Sequence, residues 1–180
     1  MSGKYKATCD LPYFITSTIV SWIDLFTREY FVEILLKSFK HSIINHGLIL
    51  HEYVIMPSHI HFIGQHPQSK LMDVLRNIKA HSALKFLESL HKDEVKESRK
   101  EWLLRFFKYH ARFHKQNKYH MIWQKNNRCI ILDSPYMYDQ KRDYILNNPV
   151  EAGYVLEAEH WAWSSANEQN DLKGFLFREG

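Results

Sequence analysis

Two short β-prone runs joined by three residues constrain the fold of this chain more than any other feature. Leu48 to Ile55 and His59 to Gly64 are rich in apolar, aromatic and β-branched residues, which is typical of strands. Between them, Met56-Pro57-Ser58 leaves room only for a tight link. The pair therefore predicts two consecutive strands of an antiparallel sheet.

The elements around this pair can also be predicted. Tyr13 to Val20 is a β-prone run, and Thr27 is a candidate N-cap for a helix that reaches about His46, with Gly47 at its C-cap. Apolar residues at helical spacing predict a second helix over Leu71 to Leu87. The charged stretch from His91 to Lys100 is expected to be an exposed helix or linker.

The last helix has a clear start and stop. Ser134 can cap it while Pro135 takes the first helical position, and the helix is expected to end near Asn147 because Pro149 disfavours helical geometry just before it. The order strand, helix, strand, strand, helix predicts an α+β fold. We expect a ferredoxin-like antiparallel sheet with helices packed on one face, forming a single domain over residues 1–180.

The third strand carries a candidate metal site. Side chains alternate between the two faces of a strand, so His59 and His61 project to one face while Ile60 and Phe62 project to the other. Neutral imidazoles are common ligands of divalent metal ions. A His-x-His pair alone is more often a packing or surface feature, so the metal hypothesis needs a second element.

The charge of the chain is unevenly distributed. From Trp102 to Arg128 there are seven Lys or Arg residues and no Asp or Glu, interleaved with aromatic rings. This mixture is typical of grooves that bind phosphates and stack unpaired bases, although an amphipathic helix with a solvated cationic face would look similar. The residues predicted to bind DNA are Arg105, Lys108, Arg112, Lys115, Lys118 and Trp123.

The last helix provides the second element. Tyr144 and Asn148 are four residues apart and so share one helix face. Tyr144 could act as a nucleophile, and the carboxamide oxygen of Asn148 could complete a metal site. The alternative is that Tyr144 packs against the sheet while Asn148 ends the helix.

Several segments together resemble the HUH-type single-tyrosine transposases, in particular their REP-associated branch. The two segments that carry most of the likeness are Tyr53 to Ile63, around the two histidines, and Asp143 to Val155, around Tyr144. The resemblance spans about Tyr13 to Ala166 and includes Phe14-Ile15-Thr16, Trp22-Ile23-Asp24, Trp123-Gln124 and Trp161 to Ala166.

The resemblance implies a metal-dependent nickase and strand transferase acting on single-stranded DNA. It implies a divalent ion, Mg²⁺ or Mn²⁺, held by His59, His61 and Asn148, and a covalent 5′-phosphotyrosine intermediate on Tyr144. The implied partner is single-stranded or hairpin DNA, with a homodimer left open.

Two alternatives also stay in view, and three departures from the family pattern leave room for the second of them. Ser58 stands where Asn is common, Leu146 stands where His is common, and Lys125 to Ile131 lacks the usual Gly-aromatic-His pattern. One alternative is a metal-dependent phosphoesterase that activates water. The other is an inactive module that binds hairpin nucleic acid. A protein–DNA adduct would distinguish the leading hypothesis from both.

Cysteine content and hydropathy bear on location. Cys9 and Cys129 have no metal or redox spacing, and the apolar run Tyr13 to Trp22 is too short and too interrupted by hydroxyl residues to cross a bilayer. We expect a cytoplasmic protein with no membrane partner.

Overall fold

The computed structural model describes residues 11–92, 95–113 and 119–177. Within these ranges, four strands and four longer helices form the framework. The strands are β1 (Tyr13–Thr18), β2 (Ile49–Met56), β3 (His59–Gln65) and β4 (Arg128–Ile131). The helices are α1 (Glu29–His46), α2 (Leu71–Leu90), α3 (Lys100–Ala111) and α4 (Pro135–Glu151).

The four strands form one antiparallel sheet in the order β2-β3-β1-β4. The predicted α+β, ferredoxin-like arrangement is therefore confirmed, with β1 and β3 at the centre. Their register pairs Thr16 with His61 and Thr18 with His59. Side chains of directly paired residues lie on the same face of a sheet, so this register brings two threonines beside the two histidines.

Helices cover both faces of the sheet, which corrects the prediction that they pack on one face. One face packs against α1 and α2 through a large core that includes Ile15, Phe62 and Phe86. The other face packs against α4 around Phe14 and Ile145. Nearly all of β2 and β3 is buried, so both faces of these strands are covered, although the α4 face also carries the polar side chains of His59 and His61.

Helix α4 extends to Glu151, past the predicted end near Asn147. The prediction was wrong because a proline in the last turn removes only one helical hydrogen bond, and Pro149 is accommodated there as a buried residue. The helix ends at Glu151 with Ala152 as its C-cap, and the next residue, Gly153, has a φ of +74° in the left-handed region that glycine tolerates. Asn148 is therefore a regular helical residue, one turn after Tyr144.

The start of α1 is also corrected, whereas its end is confirmed. Arg28, not Thr27, occupies the N-cap position, since the Thr27 hydroxyl donates to the Asp24 carbonyl at 2.8 Å. Gly47 caps the C-terminus with a φ of +67°, as expected.

The predicted exposed segment from His91 to Lys100 contains a buried charge. The Glu97 side chain has no exposed surface and pairs with Arg28 at 3.3 Å and with Arg99 at 3.0 Å. Arg99 also pairs with Asp24 at 2.6 Å. This network joins the loop before α1 to the turn before α3.

Residues near the C-terminus complete the outer edge of the sheet. The amides of Ser165 and Phe177 donate to the carbonyls of Tyr53 and Leu50, and the Ile55 amide donates to the Trp163 carbonyl. Among the described residues, no helix is long and apolar enough to span a bilayer.

Candidate active site

A cleft of about 570 Å³ lies on the α4 side of the sheet, where β1, β3 and α4 meet. The residues that line it include His59, His61, Tyr144, Asn148, Trp22 and Arg128. All four residues predicted for catalysis and metal binding therefore border one cavity. They come from two distant segments, since His61 and Tyr144 are more than 80 residues apart along the chain.

Strand β3 places the two histidines side by side on the expected face. Their ring centres are 4.7 Å apart, while Ile60 and Phe62 enter the core of the opposite face. Each Nδ1 atom has a hydroxyl partner. Thr16 Oγ1 is 2.8 Å from Nδ1 of His61, and Ser58 Oγ is 3.1 Å from Nδ1 of His59. These contacts fix the orientation of both rings.

Burial keeps both imidazoles neutral. It lowers the pKa of His59 to about 4. Burial also lowers the pKa of His61 to about 3, with smaller contributions from His59, Arg128 and Lys141. Unprotonated imidazoles retain the lone pair that a metal ligand needs.

The polar groups around the histidines fit a divalent metal ion. A hydroxyl that accepts a hydrogen bond from Nδ1 leaves Nε2 of the same ring free to bind a metal, which is the usual arrangement around ligating histidines. Asn148 lines the same cleft and carries an amide oxygen, a ligand suited to hard cations. The predicted set of His59, His61 and Asn148 is thus chemically consistent with Mg²⁺ or Mn²⁺, and it stays a prediction.

Tyr144 is positioned by the packing of α4. The Ser134 hydroxyl accepts a hydrogen bond from the Met137 amide at 3.3 Å, which confirms the predicted N-cap. Ile145 is fully buried against the sheet, so the neighbouring Tyr144 is held at the edge of the cleft with 37% of its surface exposed. Its hydroxyl lies 3.5 Å from Nε2 of His61.

Phe14 and Lys141 lie beside the tyrosine, and Arg128 lies in the wall of the same cleft. Phe14 stacks on His61 with ring centres 5.5 Å apart and meets Tyr144 edge-on at 5.8 Å. Lys141 Nζ is 5.7 Å from the centre of the Tyr144 ring, and Arg128 lines the cleft from β4. Thr16, Lys141 and Arg128 were not predicted as site residues. Two of them could have been found from the sequence. The alternation of side chains along β1 indicates Thr16, and the i, i+3 spacing to Tyr144 indicates Lys141.

Of the predicted DNA-binding residues that the structure describes, three lie on or just after one helix and Trp123 lies elsewhere. Arg105, Lys108 and Arg112 are exposed on or just after α3, whose opposite side packs into the core through Leu103 and Phe107. Arg105 pairs with Glu101 at 2.7 Å. Lys115 and Lys118 lie outside the described residues. DNA contact by this helix stays a prediction.

Trp123 requires a correction, because it belongs to the core. It is 6% exposed, packs against Phe26 and Phe86, and donates from its indole nitrogen to the Ser82 hydroxyl at 3.1 Å. A base cannot stack on a ring that is enclosed in this way. The aromatic character of the segment misled the prediction, since core and binding aromatics look alike in sequence.

A second group of ligand-type side chains lies on the surface. Among the described residues, Glu157, Glu159 and His160 are the one set of three His, Cys, Asp or Glu side chains whose ligand atoms lie within 4.8 Å of one another. All three are exposed. Such clusters are common on protein surfaces, so we assign no site there.

No protein-family model and no curated protein sequence matches the chain. Among solved structures, it is similar to a REP-associated tyrosine transposase bound to a REP hairpin, with a TM-score of 0.65, 19% identity, and coverage of 100% of this chain and 92% of that one. It is also similar to a protein from Deinococcus radiodurans R1 assigned as a transposase, with a TM-score of 0.47, 17% identity, and coverage of 82% and 97%. The first similarity shows that this chain shares the fold of the hairpin-bound transposase.

Proposed function

We propose that this protein is a metal-dependent nickase and strand transferase for single-stranded DNA, a transposase of the REP-associated tyrosine type. The observation that carries the proposal is the position of the Tyr144 hydroxyl, 3.5 Å from Nε2 of His61 in a cleft that His59 and Asn148 also line. The shared fold and the resemblance of the two sequence segments support the same function.

The cleft suits a phosphodiester. Arg128 lines it and Lys141 lies beside Tyr144, so both bring positive charge to the place where an anionic backbone would enter. A divalent ion held by His59, His61 and Asn148 would polarise the non-bridging phosphate oxygens. The two buried imidazoles remain neutral, because burial lowers their pKa values. The positive charge in the cleft therefore comes from that ion and from the two cationic side chains.

The proposed reaction conserves the energy of the phosphodiester bond. Tyr144 Oη forms a bond to phosphorus as the bond from phosphorus to the 3′ oxygen breaks. The phenol releases its proton and the departing 3′ oxygen takes one up. The 5′ phosphate then remains on Tyr144, and attack by a 3′-hydroxyl of another strand reverses the exchange, so strand transfer needs no nucleotide cofactor.

The test is a search for the covalent product. The protein is incubated with single-stranded hairpin DNA and Mg²⁺ or Mn²⁺, and the mixture is separated on a denaturing gel. We expect a DNA-linked band that is absent without metal and absent in Tyr144→Phe. Tyr154→Phe is the matched control, because Tyr154 is 53% exposed and lines the same cleft. This variant should still form the adduct.

The same gel separates the alternatives. Cleavage without any adduct would indicate the phosphoesterase, in which water attacks. Hairpin binding with neither cleavage nor adduct would indicate the inactive module. An adduct that persists in Tyr144→Phe would refute the assignment of the nucleophile.

A further inference from the structure

The loop after β1 holds two consecutive residues in a conformation that side chains disfavour. Ser21 has a φ of +52° and Trp22 a φ of +59°. Left-handed geometry is uncommon for residues other than glycine, asparagine and aspartate, and it persists only where the surroundings enforce it. The strain turns a large apolar ring outward, since Trp22 is 60% exposed.

The residues on either side of this pair are firmly anchored. The Ile19 and Val20 amides donate to the carbonyls of Ser58 and Ile122 at 2.9 and 2.8 Å. Val20 and Ile23 are both buried. The loop is therefore fixed on both sides of Ser21 and Trp22, which holds the Trp22 ring in its outward position.

The exposed ring lies next to the proposed catalytic groups. The centre of the Trp22 ring is 5.2 Å from that of His59, and the two rings meet at an interplanar angle of 73°. Trp22 also lines the cleft that contains Tyr144. Because the rings meet edge-to-face and most of the indole stays exposed, ring surface remains available to an occupant of the cleft.

A line of aromatic side chains leads toward this loop from α3. Trp102 and Phe106 are stacked with ring centres 5.1 Å apart, and Phe106 and His110 follow at 4.4 Å. The His110 ring then reaches the Ser21 hydroxyl, with Nε2 at 3.3 Å. Trp102 is 49% exposed, so the line is open to solvent at its far end. A path of rings beside exposed cations suits an unpaired nucleic-acid strand.

We propose that Trp22 is the platform on which an unpaired base stacks next to the phosphate that Tyr144 attacks. The stack would hold the backbone so that this phosphate sits over His59 and His61. Every base has a face for stacking, so the contact would position the strand with little regard to sequence. This inference rests on the proposed function, and it makes Trp22 a positioning residue.

The test combines substitutions of Trp22 with the removal of single bases from the DNA. Tyr144→Phe serves as the background, so that DNA is bound but not cleaved. Hairpin DNA carrying a single-stranded extension is prepared with one abasic site at each successive position of the extension. Its affinity is measured for the background protein and for the same protein with Trp22→Leu, Trp22→Phe or Tyr136→Leu.

We expect one position at which the abasic site weakens binding about 5- to 150-fold, the range that a stacked base contributes. Trp22→Leu should weaken binding of intact DNA by a similar factor and abolish the penalty at that position. Trp22→Phe should keep most of the penalty. Tyr136→Leu removes another exposed ring, which is 76% exposed and outside the lining of the cleft, so it should leave the penalty unchanged.

An abasic penalty that is undiminished in Trp22→Leu at every position would overturn the inference. If Tyr144 of the otherwise unchanged protein still forms its adduct, the proposed function then stands and only the stacking platform is lost. If the protein binds none of the hairpins and forms no adduct, both proposals fall together.

Discussion

Replacing Glu97 with glutamine tests how the loop that carries Trp22 is held. The Glu97 carboxylate accepts hydrogen bonds from Arg99 Nε at 3.0 Å and Nη2 at 3.1 Å, and from Arg28 Nε at 3.3 Å. These bonds, those from Arg99 above all, lower the pKa of Glu97 from 4.5 to about 2. Since Arg99 also binds Asp24, the carboxylate anchors the loop from the side of α3.

The magnitude follows from the pKa. A fall from 4.5 to about 2 is about 2.5 pKa units, and at 1.36 kcal/mol each this corresponds to roughly 3 kcal/mol of folding free energy. Removing one partner of a fully buried pair costs about 3–5 kcal/mol. The low end applies here, because the Arg28 side chain is 50% exposed and water can solvate it after the change.

The expected effect depends on pH in a defined direction. A carboxyl group with a lowered folded-state pKa stabilises the fold above its unfolded pKa of 4.5, and this stability is lost as the pH falls toward about 2. Protonated Glu97 and the glutamine that replaces it are both neutral and nearly isosteric. The stability difference between wild type and Glu97→Gln should therefore be about 3 kcal/mol near neutral pH and should decline toward zero in acid.

Urea denaturation at a series of pH values measures this difference. Glu33→Gln is the control, because Glu33 pairs with Lys37 at 3.0 Å on the exposed surface of α1 and its loss should cost only about 0.3–0.5 kcal/mol. A difference for Glu97→Gln that does not change with pH would refute the role of its charge.

Three further predictions concern the two histidines, the exposed cations on and just after α3, and the half-buried Lys79. The double variant His59→Ala/His61→Ala should lose Mn²⁺ binding in calorimetry while it keeps its fold by circular dichroism, and undiminished Mn²⁺ binding would place the metal elsewhere. Charge reversal of Arg105, Lys108 and Arg112 together should weaken hairpin binding and flatten its salt dependence, because the slope of log affinity against log salt concentration falls by about 0.7–0.9 for each phosphate no longer neutralised. An unaltered salt slope would mean that these residues only solvate α3. Lys79→Met should lower the free energy of unfolding by about 1–3 kcal/mol in urea denaturation, because Lys79 Nζ donates to the Gln124 carbonyl and to Asn127 Oδ1 at 2.8 Å each. A smaller loss would show that water replaces both bonds.

Local sequence patterns predicted the parts of the site that depend on local geometry. The face shared by His59 and His61 follows from the two-residue period of a strand, and the start of α4 follows from the capping of Ser134. Both are confirmed because neighbouring residues alone determine them.

Parts of the fold that depend on distant contacts were missed. Strand β4 has four residues and is defined by its pairing with β1, so its sequence carries no strand pattern long enough to recognise. Trp123 is buried because Phe26, Phe86 and Ser82 surround it, and all three are distant in sequence, with Ser82 41 positions away. Neither the pairing of β4 nor the burial of Trp123 can be derived from the residues next to it in the sequence.

The backbone hydrogen bonds between β2 and residues 163–177 affect which edge of the sheet is open to another copy of the protein. An uncovered edge strand offers its amides and carbonyls to any other strand, which is a common route to sheet extension between molecules. Here the groups at Leu50, Tyr53 and Ile55 already have partners within the same chain. The opposite edge is β4, which is short and begins with the charged Arg128. Extension of the sheet by a second copy of the chain is therefore expected at β4 rather than at β2.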